Sequence, residues 1–319
     1  MNAAQPENWS FVISETGAII DLSPEEHPRS TPTKPWTWRH ATLGHEPGAH
    51  EALDSGIADL LMIDQTRPRF ASYPNGSLLI LRGVGHLSSS LDEELVSVRL
   101  WIEPDRVISF VRRPVAAIAE IFAQYDLNTG PASPAEFVAE LAQRLVENMT
   151  DIMATIEDDI AALEVESSLG ATKELQERMA NRRMSIIPLR RYLAPQRDAL
   201  IQLLATRVDW LNEDTRHRLR NALDITTRYI EDLDEARDQL EVIQTSLAVQ
   251  FAERTNKALL LLSVVTAIFL PLSLIAGLLG INVSHIPFSD HPAAFWGVCV
   301  FLLMIGAFQI FLVRRLGWL

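Results

Sequence analysis

The hydrophobic residues of this chain are concentrated near its C-terminal end, in two long runs that carry no charge. Residues 258–279 read ALLLLSVVTAIFLPLSLIAGLL, and residues 293–313 read AAFWGVCVFLLMIGAFQIFLV. An α-helix rises 1.5 Å per residue, so the first run would extend about 33 Å, enough to cross the hydrocarbon core of a bilayer. A pair of buried core helices is the alternative, but both runs exceed the usual length of one. The pattern predicts two membrane-spanning helices.

Basic residues flank this pair of runs and are missing between them. Arg254 and Lys257 precede the first run, whereas Arg314 and Arg315 follow the second, and residues 280–292 contain no Lys or Arg. Since basic flanks stay on the cytoplasmic side, both termini are expected in the cytoplasm. Two helices cannot enclose a polar path, so a conducting hairpin would need several copies of the chain around it. Otherwise the hairpin is only an anchor.

Roughly the first 115 residues alternate apolar and polar positions in the manner of β-strands. Residues 69–84 read RFASYPNGSLLILRGV, in which Asn75-Gly76 predicts a tight hairpin turn. Residues 95–113 form a second strand–turn–strand pattern. From Pro114 onward the apolar spacing becomes helical, with Ser133 as a candidate N-cap. Strands followed by a run of helices predict an α+β or α/β/α domain.

A single helix of unusual length is predicted next, because neither Pro nor Gly occurs between Asn212 and Pro271. Apolar residues recur along it at steps of three, four or seven: Leu219, Leu223, Ile230, Leu233, Leu240, Ile243, Leu247 and Phe251. This heptad-like seam favours a stalk that transmits rigid-body motion between the soluble domain and the bilayer. The alternative is a helix that simply packs on its own domain.

Composition narrows the classes of partner and chemistry. The chain has 319 residues, of which 48% are hydrophobic, and a formal net charge of −13. This acidic balance suits cations and argues against a nucleic-acid partner. The only cysteine, Cys299, lies in the second apolar run, which excludes an intrachain disulfide and Cys-based zinc motifs. The sequence lacks nucleotide-binding glycine loops, HExxH and GxSxG, so neither an enzyme activity nor a cofactor is predicted.

The stretch IFLPLSLIAGLLGIN, residues 268–282, resembles the first membrane helix of the CorA superfamily of two-helix divalent-cation transporters. The shared positions are Pro271, Ala276-Gly277 and Gly280-Ile281-Asn282, the last matching the Gly-x-Asn signature of that class. The tripeptide alone is uninformative, but it is specific at the outer end of the first of two C-terminal membrane helices. Ile281 stands where magnesium channels of the superfamily usually have Met.

Further segments resemble the zinc transport branch of this superfamily, the ZntB type, and the similarity runs over essentially the whole chain. They are QTRPRF (65–70), RRYLAPQRD (190–198), GINVSHIP (280–287) and RRLGWL (314–319). The resemblance implies a homopentamer with a cytoplasmic α/β/α funnel domain, a stalk helix and a pore lined by the first membrane helix. It also implies proton-coupled uptake of Zn²⁺ through the bacterial inner membrane, with tolerance for Cd²⁺, Ni²⁺ and Co²⁺.

Two other functions stay open at this point. A CorA-like channel for Mg²⁺ and Co²⁺ would have the same architecture. A membrane-anchored coiled-coil scaffold or sensor would have no pore, but a plain anchor does not require an uncharged helix that ends in Gly-Ile-Asn. Either transporter would act on hydrated divalent cations in a lipid bilayer, and the metal would be its cargo.

The predicted organisation has six parts. These are an α/β/α domain (1–211), a stalk helix (212–257), a first transmembrane helix (258–280), a periplasmic loop (281–292), a second transmembrane helix (293–313) and a cytoplasmic tail (314–319).

Gly280, Ile281 and Asn282 are the predicted ion filter. Asn282 offers an amide oxygen, and Gly280 lets the helix end turn with its carbonyl groups free. A ring of such neutral dipoles would hold a hydrated dication through its water shell and still release it. The alternative for Asn282 is a helix-capping role without ion contact.

Spacing backward from Asn282 predicts the pore-lining side of the same helix. Its apolar members are Leu261, Ile268, Leu272, Ile275 and Leu279, which would form a constriction that excludes water. Asn256 and Ser273 match polar pore positions of the superfamily. The alternative for Ser273 is a hydrogen bond to its own helix near Pro271.

Two groups of side chains are candidate metal ligands. His285, Asp290 and His291 in the outer loop could gather Zn²⁺, and Asp234, Asp238 and Glu241 on the stalk could bind divalent cations. A solvated loop and a solvated helix face are the alternatives. His40, His45 and His50 recur at steps of five around Pro47, a spacing that does not place them on one helix face.

Overall fold

The computed structural model describes residues 8–13, 19–21, 35–42, 55–63, 67–85, 95–170, 172–280 and 294–315. Within them lie one mixed sheet and a series of helices. The strands are β1 (Asn8–Ile13), β2 (Ile19–Asp21), β3 (Trp36–Thr42), β4 (Arg69–Tyr73), β5 (Gly76–Val84), β6 (Leu95–Ile102) and β7 (Arg106–Val111). The helices are α1 (Ser55–Met62), α2 (Ala116–Asp126), α3 (Pro134–Glu147), α4 (Thr150–Leu169), α5 (Lys173–Ala205), α6 (Glu213–Gly280) and α7 (Ala294–Arg315).

The strands follow the order β2-β1-β3-β7-β6-β5-β4 across the sheet. All neighbours are antiparallel except β3 and β7, which run parallel with Trp38 opposite Val107. Both predicted hairpins are confirmed. Tyr73 pairs with Gly76 across the Asn75-Gly76 turn region, and Ile102 pairs with Val107 in the second hairpin.

Helices cover both faces of this sheet. On one face, Trp38 packs against Phe137 of α3 with ring centroids 4.7 Å apart, in a core that also includes residues of α2, α5 and α6. On the other face, Leu61 of α1 is buried beside Trp101 and Ile108. Strand β6 is buried along its whole length because it is covered from both sides. The predicted α/β/α domain is confirmed.

Local signals fix where two of the helices begin. The Ser133 side chain accepts a hydrogen bond from the backbone N–H of Glu136, and Pro134 occupies the first position of α3. This is the N-cap predicted for Ser133. The Asn212 side chain accepts from the backbone N–H of Thr215 in the same way, so α6 begins at the predicted residue.

Helix α6 has 68 residues and a length of about 100 Å at 1.5 Å per residue. Its predicted apolar seam is buried at Leu219, Ile230, Leu233, Leu240 and Ile243. These residues are buried within the single chain, so their burial does not require a second copy. Leu219, for example, belongs to the core of the α/β/α domain. The Tyr229 hydroxyl also lies 2.9 Å from the Thr150 hydroxyl of α4. The first part of α6 therefore packs on its own domain, as the alternative interpretation expected.

The chain divides into two compact units, Met1–Ile243 and Gln244–Leu319. The boundary falls inside α6. The physical reason is the burial of the first turns of α6 in the sheet domain. The helix itself continues without interruption through Pro271 to Gly280.

The segment RRYLAPQRD lies in α5 and closes one edge of the sheet. β4 begins at Arg69, opposite Ile80, so its pairing with β5 ends before Arg82. The side-chain oxygen Oε1 of Gln196 accepts a hydrogen bond from the backbone N–H of Arg82 at 2.7 Å, and Gln196 is 1% exposed. The Arg82 guanidinium stacks over the Tyr192 ring, 3.7 Å from its centroid. This part of the segment is structural.

Replacing Gln196 by Leu is expected to lower the free energy of unfolding of the first unit by about 1–3 kcal/mol, because it leaves a buried N–H without an acceptor. Chemical denaturation of the full chain in detergent, followed by tryptophan fluorescence, measures the change. Gln239→Leu is the matched control, since Gln239 is exposed on α6. Equal effects of the two substitutions would contradict the structural role of Gln196.

Candidate functional site

Two described helices are long and apolar enough to cross a membrane. One is α6, whose apolar part has a mean hydropathy of 2.6, and the other is α7, with a mean hydropathy of 2.4. Only 6% of the most apolar stretch of each helix is buried within the single chain. A core helix of a soluble protein would be mostly buried, so this exposure agrees with a lipid or protein environment outside the chain.

The apolar part of α6 has one side that packs on α7. Along α6, Val264 is buried and Ile268, Pro271, Leu272 and Ile275 are half-buried. Along α7, the half-buried or buried positions are Val298, Cys299, Leu302, Ile305, Gly306, Gln309 and Val313. Each set recurs every three or four residues and so forms one helix face. A methyl group added at Gly306 would lie 3.9 Å from Leu272 Cδ1, which places the two faces in contact.

The side of α6 opposite α7 is exposed. Ser273 follows Val264 by nine positions, about two and a half turns at 3.6 residues per turn, and so points away from it. The exposed residues on this side are Leu262, Thr266, Leu270, Ser273 and Gly277, and together we name them the distal face. Leu270 is 62% exposed, and nothing lies within 4 Å of a methyl group added at Gly277.

The hydroxyl groups of the distal face differ in their bonding. Thr266 Oγ1 donates to the carbonyl oxygen of Leu262 at 2.8 Å, which ties this hydroxyl to its own helix. Ser273 is exposed, and no hydrogen bond joins its hydroxyl to the part of the chain that the structure describes. Among the described residues, Thr266 makes the bond to its own helix that was the alternative for Ser273, and Ser273 does not.

The structure separates the predicted pore-lining residues into three groups. Ile268, Leu272 and Ile275 lie on the side that packs on α7, a placement that does not favour contact with a pore. Ser273 lies on the distal face. The others are exposed elsewhere along α6: Asn256, Leu261 and Leu279. Leu262 and Leu270 also lie on the distal face, at helical spacing from Ser273, and are not among the residues predicted to line the pore.

The predicted filter stands at the end of the described part of α6. Gly280 is the last residue of this helix. Ile281, Asn282, His285, Asp290 and His291 lie outside the described residues, so their predicted roles stay predictions.

The acidic candidates on α6 lie in the first unit. Both carboxylate oxygens of Asp234 accept from the Arg190 guanidinium of α5, one of them at 3.0 Å. These hydrogen bonds hold the pKa of Asp234 below its usual value. Within the described residues, no three His, Cys, Asp or Glu side chains form a group that could hold a metal ion. One chain therefore does not assemble the predicted metal site at Asp234, Asp238 and Glu241.

His40 illustrates why a histidine need not be a ligand. It is buried in β3, where its Nδ1 lies 2.8 Å from the Ser109 hydroxyl of β7. Burial lowers the pKa of His40 to about 3, because the charged form loses its hydration. His40 is therefore a neutral residue of the sheet domain.

The two ends of α7 carry different residues. At its start, the rings of Phe295 and Trp296 meet edge to face with centroids 5.8 Å apart, and each side chain is 70% exposed. At its end stand Arg314 and Arg315. Aromatic and basic residues are typical of the two interfaces of a membrane, with the basic end in the cytoplasm.

An α/β/α domain, a helix of 68 residues and a C-terminal pair of apolar helices define a class of two-helix membrane proteins. The family model described as CorA-like Mg²⁺ transporter protein matches residues 36–315. The chain belongs to this CorA family of divalent-cation transporters, and it is a membrane transporter and not an enzyme.

Individual relatives agree with this assignment. The divalent cation transporter CmaX of Pseudomonas aeruginosa is 34% identical over 310 residues, which cover 95% of this chain and 90% of the relative. The zinc transport protein ZntB of Yersinia enterocolitica is 25% identical over 316 residues, which cover 98% of this chain and 95% of the relative. The resemblance to the CorA superfamily and its ZntB branch is confirmed.

Solved structures show the same fold over the whole chain. The full-length CmaX protein has a TM-score of 0.82 at 29% identity, covering 99% of this chain and 100% of that chain. The CorA magnesium transporter of Methanocaldococcus jannaschii has a TM-score of 0.81 at 16% identity and covers 99% of each chain. The predicted order of sheet domain, long helix and two apolar helices is thereby confirmed.

Proposed function

We propose that this protein is a homopentamer that takes up Zn²⁺ through the bacterial inner membrane, with both termini in the cytoplasm. The relatives named as zinc transport proteins align with 80–98% of the chain and support the choice of ion. The orientation is supported by the basic residues that flank the apolar segments. Arg254 and Lys257 precede the apolar part of α6, and Arg314 and Arg315 end α7. Several copies are required because two helices cannot enclose a path for a hydrated ion.

The distal face is the side of α6 that lines the pore. The single observation that carries this proposal is its exposure in a chain whose other α6 face is occupied by α7. Around a shared axis, Leu262 and Leu270 would form apolar rings that exclude water when the pore is narrow. Ser273 and the glycines after it would provide polar or uncrowded positions for a hydrated cation.

Gly280, Ile281 and Asn282 form the filter at the outer end of this pore. A neutral carboxamide ring suits an ion that keeps its water shell, because it attracts the dication without holding it tightly. His285, Asp290 and His291 follow the filter in sequence and supply nitrogen and oxygen ligands that Zn²⁺ accepts. They would raise the local concentration of Zn²⁺ before entry.

Proton coupling belongs to the same proposal and has a specific physical constraint. Residues 258–280 and 294–313 contain no Asp, Glu, His, Lys or Arg. A proton that accompanies Zn²⁺ would therefore travel through pore water and use ionisable groups outside these segments, such as the loop histidines.

Proteoliposomes test the ion and its coupling together. We expect uptake of ⁶⁵Zn²⁺ to exceed that of Mg²⁺ at equal concentration, and an acidic exterior to increase the Zn²⁺ rate severalfold, because the proton gradient would drive the ion inward. Protein-free liposomes and liposomes under valinomycin-clamped potential are the controls. An unchanged rate under the pH gradient would contradict coupling.

A Mg²⁺ or Co²⁺ channel is the second candidate, since the matching family model carries the Mg²⁺ description. Faster Mg²⁺ than Zn²⁺ uptake in the same assay would favour it. Absence of uptake for both ions would contradict both candidates and leave another divalent cation as the cargo.

A further inference from the structure

Gln309 is the only carboxamide in the apolar segments, residues 258–280 and 294–315. It lies on the face of α7 that packs on α6 and is half-buried there. Its Oε1 is buried and accepts no hydrogen bond from the part of the chain that the structure describes. In hydrocarbon no water is present to form the missing hydrogen bond, so an unpaired polar group costs free energy. Such a group indicates a structural or functional role at its position.

The register of the two helices shows what Gln309 faces. Gly306 lies beside Leu272, so an antiparallel pair would bring Val313 level with residues 264–265. The burial of both Val264 and Val313 agrees with this register. Gln309 is then level with residues 268–269. Because helical side chains lean toward the N-terminus of their own helix, its carboxamide leans toward the level of Pro271.

Pro271 creates an acceptor at that level. Proline has no backbone N–H, so the carbonyl oxygen of Ala267, four residues earlier, has no helical partner. Helix α6 nevertheless continues through Pro271 to Gly280. In a membrane, a freed carbonyl inside a proline-containing helix is satisfied by a side chain or by a neighbouring helix.

We propose that the Gln309 carboxamide donates through Nε2 to the Ala267 carbonyl oxygen and so holds α7 against α6 where Pro271 interrupts the backbone ladder. A half turn about the last side-chain bond exchanges the two ends of a carboxamide, which have nearly the same shape, and brings the NH₂ group to the buried side. Gln309 is a positioning residue: it touches the helix and not the transported ion.

This bond has a consequence for transport, which rests on the proposed function. Pro271 lies between Leu270 and Ser273 of the distal face. A proline break is the point at which a helix bends. The Gln309 bond would fix the angle between the part of α6 that carries Leu262 and Leu270 and the part that carries Ser273 and Gly280.

A double-mutant cycle on the full chain tests the bond. In Pro271→Ala, residue 271 regains an N–H that pairs with the Ala267 carbonyl, so Gln309 loses its acceptor. Gln309→Met is therefore expected to lower the thermal unfolding midpoint in detergent in the wild-type background and to leave it unchanged or raise it in Pro271→Ala, where the carboxamide has lost its acceptor. Gln309→Glu, whose neutral carboxyl group still donates in hydrocarbon, should restore most of the midpoint. Leu303→Met, on an exposed part of α7, is the matched control.

Transport kinetics give the readout that a purely structural role would not move. In proteoliposomes, Gln309→Met should lower the maximal Zn²⁺ rate severalfold and leave the half-saturating concentration unchanged, because Gln309 does not contact the ion. The unfolding cycle needs no transport, so it can confirm the bond even if Zn²⁺ proves to be the wrong cargo. Equal effects of Gln309→Met in both backgrounds, or no effect in either, would overturn the proposal.

Discussion

Replacement of Asn282 by Ala is expected to reduce ⁶⁵Zn²⁺ uptake by proteoliposomes to the background of protein-free vesicles, while the oligomer stays intact. The substitution removes one carboxamide from every copy of the chain, and so the whole ring disappears at once. Without these dipoles the filter loses the side-chain oxygens that would attract a hydrated dication. Size-exclusion chromatography with light scattering measures the oligomer on the same samples.

Asn221→Ala is the matched control for this experiment, because Asn221 is exposed on the soluble part of the same helix. It should leave both uptake and assembly unchanged. Normal uptake by Asn282→Ala would remove this residue from the filter and leave it the helix-capping role. Loss of the oligomer together with uptake would assign Asn282 to assembly.

Replacement of Leu270 by Ser is expected to accelerate Zn²⁺ uptake and to make the closed pore leakier. If Leu270 forms an apolar ring in the pore, a hydroxyl at each position lets water remain in the constriction. Lowering the barrier by about 1.4 kcal/mol would raise the rate about tenfold. Initial rates of ⁶⁵Zn²⁺ uptake, together with the leak of Mg²⁺, measure the change.

The neighbouring residue Leu272 provides a comparison on the same helix. Leu272 faces α7, so Leu272→Ser should destabilise the hairpin and leave the pore constriction as it is. Leu303→Ser, on the exposed side of α7, should change neither property. A gain in rate from Leu272→Ser without one from Leu270→Ser would place the pore on the face that sequence spacing first indicated.

The features predicted well from sequence are those that neighbouring residues determine. The turn at Asn75-Gly76 needs two residues with particular backbone freedom, and the cap at Ser133 needs one polar side chain. The membrane helices follow from length and absence of charge. Each of these signals acts within a few residues, so a single sequence contains all of it.

Features that depend on distant partners could not be read in the same way. The parallel pairing of β3 with β7 joins residues separated by a long stretch of chain, and no local pattern specifies it. The seam of α6 has the spacing of a coiled coil, but its first residues, Leu219 and Leu223, pack in the core of the sheet domain.

The pore side of α6 presented the same difficulty. Hydrophobic spacing gives the period of a helix and not the direction of its neighbours, and in an apolar segment every side is apolar. Only the contact between Leu272 and Gly306 shows which side is occupied. Spacing selected Ile268 and Ile275, and the resemblance to the superfamily added Ser273. In the structure, Ile268 and Ile275 lie on the side of α6 that packs on α7, whereas Ser273 is exposed.

The residues at the two ends of α7 also relate the length of this helix to the thickness of the bilayer. Phe295 and Trp296 favour one headgroup region and Arg314 and Arg315 the other, so the distance between them is set by the helix. In lipids with longer acyl chains the helix cannot slide to relieve the mismatch, and in shorter ones it must tilt. The tilt of α7 is therefore expected to vary with the acyl-chain length of the lipid.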